Sequence, residues 1–238
     1  MSRTRTLPAR AGLVMFDFDG TLADTVGGIC ETAGAVLLDH GLAADELGDL
    51  TRLVGPPFPQ AFSDVYGMGA DEAAEVTAEF RARYLAGGPR LWPLYDGVGE
   101  LVADLVASGR TCAVASSKQT RFLRSAVADV GLDGLLSAVE GKLGDHEADK
   151  AGTIARVLGE LGFDASDAVM VGDRGSDVEA AAANGVACVG VLHGRTCPES
   201  ELVSAGACAV THTVGELRRA LLGDAPAGGA GPSADARV

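Results

Sequence analysis

Asp17 and Asp19 stand one residue apart at the end of an apolar run, Leu13 to Phe16, and are followed by Gly20 and Thr21. A short apolar run bounded by glycine reads as a buried strand. Side chains alternate across a strand, so the two carboxylates start on the same side. Two acids at the carboxyl end of a buried strand repel each other and lose solvation, which is costly unless a cation compensates. A divalent cation suits such an oxygen-rich site. Ligands of open α/β sheets bind at this end of the strands. Gly20 lets the chain turn sharply and brings backbone N–H groups close to a ligand.

The theme recurs three times downstream. Val171-Gly172-Asp173 ends another apolar run, and Asp177 follows four residues later. With Asp17 and Asp19, these acids suit a Mg²⁺ shell completed by a carbonyl, waters and a substrate oxygen. Asp177 is also placed to cap the helix that follows it. Ser116 and Ser117 follow the run Thr111 to Ala115, where hydroxyls and N–H groups could hold phosphate oxygens, although a serine pair after a strand is more often a helix cap. Lys150 opens a helix, where a cation opposes the helix dipole. A bound anion or neighbouring carboxylates would give it a reason to be there; a solvated lysine is the alternative.

Alternating strands and helices must position these groups. The periodicity predicts strands at Leu13–Phe16, Thr111–Ala115, Ala168–Val171, Val186–Leu192 and Ala207–Val210, with a short apolar piece at Leu135–Val139. Helices are expected over Val98–Leu105, Arg121–Val130, Lys150–Leu161, Asp177–Asn184, Glu199–Ser204 and Val214–Leu222. The alternation implies an α/β fold, a parallel sheet with helices on both faces. Val26 to Trp92 instead shows no convincing strand. It predicts a helix stopped by Gly41, a short helix over Asp45–Leu53, a loop at Val54-Gly55-Pro56-Pro57, and a helix over Asp71–Leu85 opened by Asp71 as a cap. The domain expectation is a core of residues 1–25 and 93–223, a helical insert of residues 26–92 able to act as a lid, and a disordered Pro/Gly/Ala-rich tail of residues 224–238.

The 238 residues carry a formal net charge of −14, which disfavours general nucleic-acid or anionic-membrane binding. The cysteines (Cys30, Cys112, Cys188, Cys197 and Cys208) form no CxxC pair and suggest a reducing compartment, with Cys112 and Cys188 as buried thiols. Neither a signal peptide nor a membrane span is apparent, so a soluble, cytoplasmic protein is expected, as a monomer or weak homodimer.

DFDGT at 17–21, Ser116, Lys150 and GDxxxD at 172–177 resemble, in order and spacing, the four motifs of the haloacid dehalogenase superfamily. The similarity spans residues 12–222 and is nearest to its phosphoglycolate-phosphatase-like group. LVGPPF at 53–58, YDGVGELVADL at 95–105, DKAGTIARVL at 149–158 and residues 170–194 support it. The resemblance implies a Rossmann-like three-layer core with an inserted all-α cap. It implies Asp17 as nucleophile, Asp19 as general acid and then base, and Ser116 and Lys150 as the other catalytic groups. Phosphate contacts would come from Phe18, Asp19, Ser116, Ser117 and Lys150. Mg²⁺ would sit on Asp17, the Asp19 carbonyl and Asp173, with Asp177 close behind. The implied reaction is Mg²⁺-dependent hydrolysis of a small phosphorylated metabolite, phosphoglycolate or a sugar phosphate, through an aspartyl-phosphate. Pyrophosphatase and phosphosugar mutase are the alternatives within the superfamily; those mutases usually carry an acid where Gly172 stands. A hydrolytic dehalogenase is disfavoured because Asp19 is present. A non-catalytic binding protein would be expected to lack one of the catalytic groups, and none is lacking. The stretch Leu192–Pro198, including Arg195, and the acidic loop Gly141–Asp149, including His146, depart from the pattern of the nearest group.

Overall fold

The computed structural model describes residues 11–144 and 150–223. The expected tail, the amino-terminal arginines and His146 lie outside these residues. Six strands form a single parallel sheet: β1 (Leu13–Phe16), β2 (Thr111–Gln119), β3 (Ala138–Lys142), β4 (Ala168–Gly172), β5 (Ala187–Val191) and β6 (Ala209–Thr211), in the order β3-β2-β1-β4-β5-β6. β1 is therefore central. It pairs with β2 on one side and β4 on the other, Phe16 lying between Val114 and Val171. This register brings the carboxyl ends of β1, β2 and β4 to one edge.

The helices are α1 (Val26–Asp39), α2 (Gln60–Tyr66), α3 (Ala70–Gly87), α4 (Val98–Ala107), α5 (Thr120–Asp129), α6 (Lys150–Leu161), α7 (Gly175–Ala183), α8 (Glu199–Ala205) and α9 (Val214–Leu222). Strand alternation divides the core. Leu13 and Met15 face α6, α7 and α8 with Ile154, Val157, Val178 and Leu202. Val14 and Phe16 face the other layer, where Leu101, Leu105, Leu123 and Leu217 pack. Both sheet faces are covered, as an all-parallel sheet requires.

The helices α1 to α4 lie between β1 and β2 in the chain, and of these α4 packs on the sheet through Leu101 and Leu105. The chain leaves and returns side by side: the Asp24 N–H donates to the Pro93 carbonyl at 2.8 Å and the Tyr95 N–H to the Leu22 carbonyl at 3.1 Å. Inside the insertion a run of rings packs in sequence, Phe58 on Phe80 at 4.7 Å, Phe80 on Tyr84 at 5.4 Å and Tyr84 on Trp92 at 4.9 Å between centroids. Such pairs add to the burial of the rings themselves.

Several local expectations differ from the structure. Asp45–Leu53 is helical only as a 3₁₀ turn at Leu50–Leu53, because the Asp49 side chain accepts the Thr51 N–H and starts the turn there. α2 was not apparent in the sequence, its seven residues being too few to display a period. Gly69 rather than Asp71 is the N-cap of α3, and Asp71 sits in the first turn, favourable to the helix dipole. The strand near Leu135–Val139 falls later, at Ala138–Lys142, while Leu135 and Leu136 pack against the core from the preceding turn.

Candidate active site

Asp17 follows β1, and its N–H donates to the Val171 carbonyl at 2.9 Å. That bond extends the β1–β4 pairing by one residue and seats Asp17 beside Asp173. Gly20 then turns the chain at φ +79°, and a Cβ there would land on the Asp173 carboxylate, so both conformation and space call for glycine. Thr21 Oγ1 donates to Asp173 Oδ1 at 3.0 Å. In the first turn of α7, Asp177 Oδ2 accepts the Arg174 N–H at 3.0 Å while Oδ1 accepts from Lys150. Asp177 thus caps its helix and also faces the site.

Lys150 Nζ also lies 2.8 Å from Asp17 Oδ2. It is buried, so the solvated alternative fails, and the carboxylates explain a cation at this helix start. Burial alone would lower the pKa of its ammonium, but the Asp17 and Asp177 charges outweigh that and hold it above its ordinary value. Carboxylate oxygens of Asp17, Asp173 and Asp177 all lie within 4.8 Å of one another, on residues 8%, 2% and 1% exposed. Burial, then the charges of Asp177 and Asp17, push the Asp173 carboxyl up to about 7. Burial likewise raises Asp177, opposed by Lys150. Three buried acids against one ammonium leave an uncompensated negative charge. Hard oxygen donors in that number fit a divalent cation.

β2 continues past Ala115 to Gln119, with an irregular register against β3. Ser116 is buried and its Oγ accepts the Lys118 N–H at 3.3 Å; Ser117 is exposed, and both line the cleft above the acids. Neither caps α5, whose N-cap is Gln119 without a side-chain bond. The Asp19 carboxylate lies outside the three-acid cluster, with Oδ1 2.9 Å from Lys118 Nζ. The Phe18 ring is buried and its N–H donates to Asp17 Oδ1 at 2.8 Å.

Lys118 is the contact that sequence reasoning missed. Its ammonium lies 5.1 Å from the Tyr84 ring centroid, joining Asp19 to α3 of the insertion. Only its position two residues after Ser116 could have pointed to it. The cleft, roughly 1120 Å³ including space open to solvent, is roofed by the insertion through Phe58, Phe80, Arg81 and Tyr84. At its mouth Gly55, with φ +108°, lies so close to Arg174 that a Cβ would stand 2.5 Å from Nη1. Arg174 Nε meanwhile donates to Glu201 Oε1 at 3.1 Å.

In the departing stretch Leu192–Pro198, Arg195 is exposed and does not line the cleft, whereas Thr196 does. Cys197 Sγ donates to the Asp173 carbonyl at 3.0 Å, and His193 Nε2–H donates to the Thr21 carbonyl at 2.8 Å. Burial lowers the pKa of His193, consistent with a neutral ring in a supporting role. The five cysteines are free, with Cys112 and Cys188 buried as expected. No helix among the described residues is long and apolar enough to cross a membrane.

Comparison with known proteins agrees with this geometry. Residues 14–191 match the family model described as haloacid dehalogenase-like hydrolase. A 5'-nucleotidase from Pseudomonas aeruginosa is 34% identical over 76% of this chain and 82% of its own length. A phosphoglycolate phosphatase from Rhodospirillum rubrum is 32% identical over 83% and 85%. The tyrosine-protein kinase PtkA of Mycobacterium tuberculosis is 36% identical over 88% and 72%. Among solved structures, a predicted phosphatase from Clostridium acetobutylicum superposes with a TM-score of 0.80 at 30% identity, covering 89% of this chain and 98% of that one. The sheet, the helical insertion, the buried aspartate cluster and these matches make the chain a member of the haloacid dehalogenase-like hydrolases, a phosphatase of that family.

Proposed function

We propose that the chain hydrolyses a small phosphorylated metabolite through an aspartyl-phosphate on Asp17, with Mg²⁺ as the metal. The carrying observation is the buried Lys150 ammonium 2.8 Å from Asp17, with Asp173 and Asp177 in the same cluster. An Asp17 oxygen attacks phosphorus in line. The leaving oxygen departs with a proton from the Asp19 carboxyl. Asp19, now a carboxylate, takes a proton from the water that attacks phosphorus next, releasing inorganic phosphate and restoring Asp17. Covalent catalysis of this kind replaces one hard displacement with two easier ones.

Lys150 balances the charge of Asp17 and the phosphoryl oxygens. Ser116 and Ser117, with the N–H groups of Phe18 and Asp19, are the proposed phosphoryl donors; an incoming oxygen would take over the Phe18 N–H that Asp17 now accepts. Asp17, the Asp19 carbonyl and Asp173 would hold Mg²⁺, backed by Asp177. Bound there, the cation supplies charge neutralisation, which together with positioning is most of what phosphoryl transfer needs. For monoester hydrolysis the site must supply about 20 kcal/mol. We read residues 26–92 as a cap over a core of residues 1–25 and 93–223. Tyr84 beside Lys118 and Gly55 against Arg174 support that reading.

The phosphoglycolate phosphatase and 5'-nucleotidase relatives both point to monoesters, of the phosphoglycolate, sugar-phosphate or nucleotide type. A mutase is less well supported, because a side chain at position 172 would fall on Asp177. The kinase relative makes transfer from Asp17 to another acceptor an outcome worth measuring. The test is phosphate release from an aryl phosphate and a panel of esters, with Mg²⁺, with chelator and with Asp17→Asn. Turnover that requires Mg²⁺ and falls more than about 10³-fold in the variant is expected. No release by folded, metal-loaded protein would overturn the hydrolase reading.

A further inference from the structure

Away from its floor the cleft is lined by charge of one sign. Among the described lining residues the only acids are Asp17, Asp19, Asp173 and Asp177. Lys150 serves Asp17 and Asp177, and Lys118 faces Asp19. Three more cations line the walls: Arg81, Lys142 and Arg174. Arg81 Nη2 donates to the Phe58 carbonyl at 3.5 Å, and Lys142 ends β3 and is buried. The contacts of Arg174 show how its guanidinium is aimed.

Arg174 follows Asp173 directly, and its own N–H donates to Asp177 Oδ2 at 3.0 Å, so its backbone is pinned to the acid cluster. Its side chain is held at one nitrogen. Glu201 Oε1, on α8, accepts Nε at 3.1 Å and the Gly175 N–H at 2.9 Å. Glu201 is not among the residues that line the cleft. Nη1 lies instead against Gly55 of the insertion, where a Cβ would stand 2.5 Å from it. A side chain at position 55 would cover Nη1; glycine, at φ +108°, leaves it open. Among the described residues neither Nη1 nor Nη2 donates a hydrogen bond, and the side chain is 35% exposed.

A guanidinium carries five N–H donors in a fixed plane, and Glu201 takes only the one on Nε. Those on the Nη pair match the oxygens of a carboxylate or a phosphate two at a time. A neutral hydroxyl would use them singly and without the charge. Resting on the phosphomonoesterase reading above, we propose that Arg174 sets specificity by binding an oxyanion on the leaving group, a carboxylate or a second phosphate, so that the substrate is anionic at both ends. Glu201 is then the positioning residue that turns the Nη pair toward the cleft. A charge-assisted contact of this kind changes affinity by about 10- to 100-fold.

The test uses pairs of esters matched in size, at fixed free Mg²⁺. 3-Phosphoglycerate is compared with glycerol 3-phosphate for a carboxylate, and 1,3-propanediol bisphosphate with its monophosphate for a second phosphate. The wild type should prefer the anionic member of at least one pair by about 10-fold or more in kcat/KM, and the pair that shows it identifies the oxyanion. Arg174→Met should abolish most of that preference, with the loss falling in KM rather than kcat. Arg174→Lys keeps the charge without the planar fork and should retain part of the preference. No preference for either anionic ester in the wild type, or a preference unmoved in both folded variants, would overturn the proposal. Failure to hydrolyse any ester would instead overturn the underlying phosphatase reading, so the two failures are separable.

Discussion

The floor and the roof of the cleft are built in opposite ways. The floor consists of charged groups on the ends of neighbouring parallel strands and the helices that follow them, fixed by backbone pairing and by each other. Asp17 is held by the Val171 carbonyl, Asp177 by the Arg174 N–H, and Lys150 by both acids. The roof consists of rings brought in by the insertion and held mainly by packing, meeting the core through Arg81 on Phe122 and Gly55 on Arg174. A floor of this kind stabilises charge that develops during reaction; a roof of this kind covers a leaving group and excludes water. The difference implies that variants in the floor change kcat and metal dependence, whereas variants in the roof change substrate preference and KM.

The largest break in that division should come from Lys150→Met. It leaves Asp17, Asp173 and Asp177 buried without their cation. Activity should fall about 10²- to 10³-fold, and the metal-free protein should lose about 3 kcal/mol in urea denaturation, because one partner of a buried ion pair is removed. Mg²⁺ should restore part of the stability and little of the activity. Unchanged kcat would contradict a floor that acts through charge.

The pH dependence of metal stabilisation is the next effect. The Asp173 carboxyl is pushed up to about 7 by burial and its acidic neighbours. Its native form therefore binds more protons than the unfolded form between about pH 4 and pH 7. Stability of the metal-free protein should fall as pH rises through that window and level off above it. If Mg²⁺ is held there as proposed, it binds the ionised acid, and its benefit should grow over the same range. Thermal unfolding with and without Mg²⁺ should show a larger metal-induced rise in Tm at pH 8 than at pH 5. An equal rise at both would contradict this.

Lys118→Met sits at the junction and sharpens the comparison. It removes the partner of Asp19 while keeping an apolar stem beneath Tyr84. A loss of about 10-fold in kcat/KM is expected, because Asp19 loses the cation beside it. A change in KM alone would assign Lys118 to the roof. Gly55→Ala should have the smallest effect. Its φ of +108° and the nearby Arg174 make a side chain unfavourable by about 1 kcal/mol, read as a small drop in Tm and a few-fold rise in KM.

The same contrast explains what could be read from the chain. Asp17 and Asp173 each stand directly after a strand, and Ser116 follows the apolar run of β2 although that strand continues to Gln119; reading polar groups after apolar runs places all three, and the parallel register brings them together. Lys150 was legible as a cation at the wrong end of a helix, a local conflict that its burial against carboxylates resolves. The roof left no such mark. Phe58, Phe80, Tyr84 and Phe122 lie among ordinary core hydrophobics, and nothing local separates a ring that lines the cleft from one that fills the core. Lys118 was hidden for the same reason: its partner Tyr84 is distant in sequence, and only the folded insertion brings them together. α2 is too short to show a period, and β3 was displaced because Leu135 and Leu136 are apolar without belonging to the strand.

The central claim is that Asp17 carries the phosphoryl group. Borohydride reduction of the enzyme during turnover, followed by peptide mass spectrometry, tests it most directly, since reduction of an acyl phosphate converts the aspartate to homoserine. The account predicts conversion at position 17 that requires substrate and Mg²⁺ and is absent in Asp17→Asn. Continued turnover with position 17 unmodified, or with a different residue converted, would contradict it.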